Sequence, residues 1–280
     1  MAAAPPAQAA DWAGVCRRVV GSLQAILAEH PDTEARAVET GRGEGGDLAL
    51  VIDRAAEDAV FAELDLLHAA GHRFSAVSEE RGAVDYGDPG VVVVIDPIDG
   101  SMNAKRGLPQ HSVSIAVADG QRMSDVFFGF VHDFGPREEW MAVRGQGATL
   151  DGRPLGLEPR ERRAPDGKLE LVGIEAAHPR WVAEAADRLV APIHRLRALG
   201  TIAVTLCSVA GARLDGMLSL KGCRAVDAAA AQLVVREAGG HVAFPGFEDP
   251  LGAPLDLLPH SPVVAARTPV GLAELISVLG

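Results

Sequence analysis

Aromatic side chains are scarce in this 280-residue chain. Phenylalanine, tryptophan and tyrosine together make up 4%, and Tyr86 is the only tyrosine. A stacking surface for single-stranded nucleic acid needs more of them. Basic runs are also lacking: the formal charge is −12 and no lysine/arginine tract interrupts it, which excludes the electrostatic footprint of a nucleic-acid binder. No apolar run reaches the 18 residues of a membrane span. Cysteine is limited to Cys16, Cys207 and Cys223, odd in number and far apart, so neither a disulfide framework nor a zinc knuckle is indicated. The start, Met-Ala-Ala-Ala-Pro-Pro, lacks the positive region and apolar core of a signal peptide. The expectation is a soluble protein of a reducing cytoplasm, with a short disordered leader ending near Asp11.

Several catalytic signatures are missing as well. There is no GxxxxGK[ST] phosphate loop and no HExxH, no GxSxG surrounds a serine, and the glycines at 41–46 are not set between a strand and a helix as GxGxxG. P-loop ATP hydrolysis, zinc proteolysis, serine acyl transfer and dinucleotide binding therefore have no support.

Glycine and alanine, by contrast, are plentiful, which favours close packing of elements. The length allows one large or two modest domains. The periodicity predicts a helix from a cap at Asp11 to His30-Pro31, a loop at Gly41–Gly46, a strand over Leu48–Ile52 and a second helix over Arg54–Ala69 with Asp53 as its cap. Strands follow at Phe74–Val77, Val91–Ile95 and His111–Ala118. Val126–Val131 and Trp140–Val143 complete a meander, and a loop lies between Asn103 and Pro109. Residues 156–168, rich in Pro, Arg and Glu, read as a loop or the seam between an N-terminal domain (11–155) and a C-terminal one (156–280). Beyond it come a strand at Leu169–Ile174, helices at Pro179–Val190 and Ile202–Ala210, a strand at Leu214–Leu220, a helix at Asp227–Ala238, a strand at Val263–Ala265 and a helix at Val270–Val278.

The chemistry concentrates at the ends of these elements. Val91-Val-Val-Val-Ile95 is a buried-strand pattern, and Asp96-Pro-Ile-Asp99-Gly-Ser101 follows it directly. Gly100 permits a turn that a side chain would obstruct. Asp53, Glu79, Glu80 and Asp227 also stand at predicted element ends. Each acid has an ordinary reading: Asp53 and Asp227 as helix caps, Glu79-Glu80 as a solvated edge, Asp96 and Asp99 as a polar turn. Taken together they suit hard cations, which need oxygen ligands and relieve carboxylate repulsion. Two-metal phosphoryl transfer is the natural use of such a set. A covalent aspartyl-phosphate loop of the haloacid-dehalogenase type fits less well, because two residues, Pro97 and Ile98, separate the aspartates instead of one.

Asp96-Pro-Ile-Asp99-Gly-Ser101-Met-Asn103 resembles the signature of the inositol monophosphatase and fructose-1,6-bisphosphatase superfamily. Val226-Asp227-Ala-Ala-Ala-Ala-Gln-Leu-Val-Val-Arg-Glu-Ala-Gly-Gly240 resembles its second signature. Ile52-Asp53, Ser78-Glu79-Glu80 and Arg197-Ala-Leu-Gly200 fall in the expected order, over roughly residues 12–275. The resemblance implies a layered αβαβα sandwich, of class α/β (α+β in some schemes). It also implies a homo-oligomer, a dimer by preference, and a phosphorylated small-molecule substrate. It places a first Mg2+ on Glu79, Asp96 and the Ile98 carbonyl, a second on Asp96, Asp99 and Asp227, and a third, weaker ion on Asp53 with Glu79. Asp53 and Ser101 would activate water, and the amides of Gly100 and Ser101 would receive phosphate. Among the nearby cations Lys105, Arg106, Arg197, Lys221 and Arg224, Arg197 and Arg224 are the candidates for substrate recognition because they flank matched motifs. The chain departs from the pattern at Ser101, where threonine is common, at Val226, where tryptophan is frequent, and at Ala231, where glycine is usual. The wording looks closest to prokaryotic enzymes with mixed inositol-phosphate and fructose-bisphosphate activity. A non-catalytic phosphate-binding or assembly protein on the same fold is the reading from another class.

Overall fold

The computed structural model describes residues 10–36, 38–42, 44, 48–156, 158 and 160–280. The leader (residues 1–9), most of the glycine loop (43, 45–47) and two positions of the seam (157, 159) lie outside the described residues. In chain order the elements are α1 (Trp12–Glu29), α2 (Thr33–Arg36), β1 (Glu39–Arg42), β2 (Leu48–Leu50), α3 (Val51–Ala69), β3 (Ser75–Ser78), β4 (Gly82–Asp85), β5 (Val92–Asp99), α4 (Ser101–Arg106), β6 (Ser112–Ala118), β7 (Val126–Asp133), β8 (Glu138–Val143), β9 (Gly147–Leu150) and β10 (Arg153–Pro154). The second half adds β11 (Leu169–Glu175), α5 (Pro179–Val190), β12 (Ile193–Arg197), α6 (Ile202–Ala210), β13 (Gly216–Ser219), α7 (Ala225–Glu237), β14 (His241–Ala243), β15 (Val264–Ala266) and α8 (Pro269–Leu279).

Eight strands form one sheet in the order β10-β9-β8-β7-β6-β5-β3-β4, antiparallel except where β3 runs parallel to β5. Five form a second sheet, β12-β11-β13-β15-β14. The valine run of β5 explains the layering. Val93 and Ile95 pack with α1 and α3, while Val92 and Val94 pack with α6 and α7. A strand covered on both faces has no polar alternation, which is why this one reads as continuously apolar. Beyond α6 and α7 lies the five-stranded sheet, and α5 and α8 cover its far side. The result is the αβαβα sandwich.

Small residues bring the layers together. Four consecutive alanines, Ala228 to Ala231, are buried in the middle of α7. A Cβ on Gly129 of β7 would stand 2.5 Å from the Ala230 carbonyl, so helix and strand backbones touch there.

Several sequence expectations need correction. α3 begins at Val51, not Arg54, because the Val51 N–H donates to the Val38 carbonyl (2.9 Å) and starts the helix early. Asp53 therefore lies inside the first turn and is not its cap. Gly41 and Arg42 belong to β1, not to a loop. The first half of the loop expected between Asn103 and Pro109 is helical, as the end of α4, which closes on Gly107 at φ 69°. The sequence pattern does not announce α2, β4, β9, β10, β12 or β14. Among the described residues no helix is long and apolar enough to cross a membrane.

Candidate active site

The site begins with a defect in β5. Asp96 pairs with Ser114 and Asp99 with Ser112, so three steps along β5 answer two along β6. That is a β-bulge, and it accommodates Pro97, which has no ladder N–H to give. Residues three apart in a regular strand face opposite ways, whereas the bulge turns Asp96 and Asp99 to the same face. Both are buried, and the Asp96 Oδ1 accepts the Ile98 N–H at 3.0 Å. Gly100 follows at φ 86°, where a Cβ would be 3.0 Å from the Gln110 carbonyl and 3.2 Å from the Gly200 carbonyl. Only glycine fits this turn, and it sets Ser101 at the start of α4.

Three further elements bring acids to this point. α3 supplies Asp53, the turn after β3 supplies Glu79 and Glu80, and the first turn of α7 supplies Asp227. Asp227 is not the cap of α7 but the third residue of its first turn, and its Oδ2 accepts the N–H of Arg224, the residue in the cap position, at 2.9 Å. Asp99 serves the start of α6, accepting the Thr201 hydroxyl and the Ala203 N–H (2.8 Å). Arg224 crosses the cluster: Nη1 donates to Glu79 Oε1 at 2.7 Å and Nη2 to Asp227 Oδ1 at 3.2 Å.

The electrostatics are those of crowded acids. Burial, then Glu79, Asp99 and Asp227, push the Asp96 carboxyl well above the usual carboxylate range, against the field of Arg224. Burial and Asp227 push Asp99 up to about 8, opposed by its bonds from Thr201 and Ala203. Glu79 is raised by burial and Asp227 despite Arg224. Such a set favours added positive charge. Its donors are all carboxylate oxygens, the kind a hard dication takes, so the residues fit a metal in chemistry. In arrangement, no three Asp, Glu, His or Cys side chains among the described residues converge on one ion. Asp99 is turned to α6, Asp227 to its own helix start, and Glu79 to Arg224.

Two cavities meet this cluster. One, of about 20 Å³, is lined by Asp53, Glu79, Glu80, Asp96, Ile98 and Ser101, and has room for a single water. The other, of about 760 Å³, is reached by Asp99, Lys221, Arg224 and Asp227. The structure thus gathers Asp53, Glu79, Asp96, Ile98 and Ser101 in one place, and Asp99, Arg224 and Asp227 beside it. Arg197 lines neither of these cavities; its Nη1 donates to the carbonyl of Leu196 (2.8 Å).

Sequence reasoning missed Glu175, although it carries the same signal as the others, an acid closing a strand. It is buried, accepts the Thr205 hydroxyl (2.6 Å) and the N–H groups of Leu199 and Gly200 (3.1 Å each), and so shapes the 198–201 wall of the larger cavity. Burial raises it to about 7 against those bonds. Asn103 ties α4 to the same wall, donating to the carbonyls of Leu199 and Gln110 at 2.7 Å. Trp181 on α5 lines the far side.

Glu57 was missed too. It lies one turn beyond Asp53 on α3, is 1% exposed, and accepts the Ser78 hydroxyl at 2.6 Å, bracing the strand end that carries Glu79. Burial lifts its pKa from 4.5 to about 7 in spite of that bond. The folded protein therefore binds more protons than the unfolded chain across this window, and Glu57 costs stability as pH rises through it. Glu57→Gln removes that titration. Its stability relative to wild type should improve between pH 5 and pH 8, by on the order of 3 kcal/mol. Urea unfolding at both pH values measures this; a pH-independent difference would contradict it.

Comparison with known proteins gives the context. The profile described as the inositol monophosphatase family matches residues 14–279. A fructose-1,6-bisphosphatase/inositol-1-monophosphatase of Archaeoglobus fulgidus is 31% identical over 235 residues, 83% of this chain and 84% of that protein. The Nus factor SuhB of Haemophilus influenzae is 34% identical over 209 residues, 74% and 75% of the two chains. A solved structure of an inositol monophosphatase–fructose 1,6-bisphosphatase superposes with a TM-score of 0.81 at 23% identity, covering 96% of this chain and 100% of the other, a likeness of fold.

Proposed function

We propose, from the premise that this chain belongs to the inositol monophosphatase family and is a phosphoric monoester hydrolase, that it is a magnesium-dependent enzyme releasing phosphate from an inositol monophosphate or a related sugar phosphate. The observation that carries this reading is the crowding of Glu79, Asp96, Asp99 and Asp227 within one another's field, with the Arg224 guanidinium bound to two of them, beside a cavity large enough for a phosphorylated sugar.

Glu79, Asp96 and the Ile98 carbonyl would hold one ion, and Asp96, Asp99 and Asp227 a second, with Asp53 and Glu79 able to share a third. Bound there, magnesium supplies charge for the phosphoryl oxygens and the leaving alkoxide. The chain's own groups do the rest. Asp53 and Ser101 both border the water-sized cavity, where a carboxylate accepts a proton and a hydroxyl fixes the water's orientation. The amides of Gly100 and Ser101 are assigned to the substrate phosphate. Arg224, which borders the larger cavity, is assigned to a substrate anion. Attack is direct and in-line, without a phosphoenzyme. The same reading includes a cytoplasmic homo-oligomer, a dimer by preference, and an N-terminal domain (11–155) that carries most of the ligands.

A phosphate-release panel tests it: inositol 1-phosphate, fructose 1,6-bisphosphate, adenosine bisphosphate and histidinol phosphate, each with and without Mg2+. Mg2+-dependent release from the first, or from the first two, is expected. Binding without turnover across the panel would overturn the catalytic reading in favour of an assembly or phosphate-sensing role, a contrast that the SuhB relatives, named as Nus factors, make worth resolving.

A further inference from the structure

Arg224 holds both oxygens of Asp227, one through its backbone N–H (2.9 Å) and one through its guanidinium (3.2 Å), and reaches Glu79 at 2.7 Å. Its side chain is only 18% exposed, against 16% for Glu79 and 11% for Asp227. The charge is permanent: burial disfavours it, but Asp227, Glu79 and Asp96 outweigh burial and hold the guanidinium protonated. The carboxylate oxygens that would take two different ions are therefore already bridged by one internal cation. A dication on Glu79 or Asp227 would stand against a permanent cation already held by the same carboxylates, and the like charges oppose each other.

Resting on the metal-dependent reading above, we infer that Arg224 is a displaceable counter-cation. It balances the acids before metal binds, and leaves Glu79 and Asp227 when metal enters. The freed guanidinium turns into the larger cavity, which Arg224 already lines, and pairs there with the substrate's anionic group. Two consequences follow. Mg2+ binds more weakly than this ligand set would allow on its own, because each binding event breaks the bridge. Metal and phosphate also bind with positive coupling: metal delivers Arg224 to the anion, and the anion keeps Arg224 off the metal ligands.

Titration calorimetry of the EDTA-treated, dialysed protein with Mg2+, with and without inorganic phosphate, tests this on wild type, Arg224→Met and Arg224→Lys. Wild type should bind Mg2+ at least ~5-fold more tightly with phosphate present. Arg224→Met should bind Mg2+ about 10-fold more tightly than wild type in the absence of phosphate, and phosphate should barely change that value. Its metal-free melting temperature should fall below wild type, and Mg2+ should raise it by more. Should Arg224→Met fail to fold, Arg224→Lys serves, since its compact ammonium keeps the charge but not the two-armed bridge; its Mg2+ affinity should again exceed wild type. Equal or weaker Mg2+ binding by the folded variants, or no effect of phosphate on wild type, overturns the inference alone. Absence of Mg2+ binding in every protein overturns the metal-dependent reading on which it rests.

Discussion

Asp96→Asn should lower kcat/KM for Mg2+-dependent phosphate release by at least ~100-fold while leaving the protein as stable as wild type or more so. The two effects share one cause. Asp96 is buried against Glu79, Asp99 and Asp227, which disfavour its charge. Asparagine removes that charge and still offers an oxygen to the Ile98 N–H, the bond that shapes the bulge. Repulsion falls, so folding gains. The anionic oxygen proposed to face both ions is lost, so chemistry suffers. Steady-state kinetics beside thermal denaturation separates the two effects. A variant with wild-type turnover would sink the assignment of the site, and a variant that is inactive because it is unfolded would contradict the account of Asp96 as a strained, functional acid.

Asp215→Ala should cost about 3–5 kcal/mol, a large part of the ~5–15 kcal/mol that separates a folded domain from its unfolded chain. Asp215 is fully buried just before β13. Its two oxygens accept the Arg162 N–H (2.7 Å) and the Leu171 N–H (3.0 Å), and Arg162 Nε adds a longer contact at 3.3 Å. Alanine leaves two backbone donors without their acceptor, each a penalty of about 1–3 kcal/mol. The exposed Arg162 end of the ion pair contributes little by comparison. Asp215→Asn, which keeps one acceptor oxygen, should lose less. Urea midpoints of the three proteins measure the series, and an alanine variant with the wild-type midpoint would refute it.

Much of the fold could be read from the chain because its signals are local. Thr201 caps α6 at the expected start, and His178-Pro179 opens α5 where a proline at the first helical position predicts it. The strands that were missed lack such signals. In β12, Ile193-His-Arg-Leu-Arg197, only Ile193 is buried, and parallel pairing with β11 makes it a strand. β4 is likewise an edge, paired among the described residues with β3 alone. α4 has no apolar period; it forms because Gly100 turns the chain and Gly107 stops it. For the site, the rule of an acid at an element's end located Asp53, Glu79, Asp96, Asp99 and Asp227. It passed over Glu175, which obeys the same rule, and Glu57, which sits in mid-helix. Their shared position at element ends suggested grouping them, and the family signatures gave each a role, but spacing along the chain carries no record of a bulge that turns Asp96 and Asp99 to one face. The bridge from Arg224 to Glu79 spans 145 residues and was beyond any local reading.

That span also bears on synthesis. Domains form as the chain emerges, N-terminal part first. Glu79 after β3 and the acids of β5 therefore exist long before Arg224, and α6 and α7, which cover the inner face of the first sheet, are made after the strands they protect. A nascent or prematurely released polypeptide carries Glu79, Asp96 and Asp99 without their counter-charge and without one wall of their surroundings. If the proposed site holds, hydrolytic competence arrives late, and fragments ending before α7, which lack Asp227, should be inert towards phosphate esters.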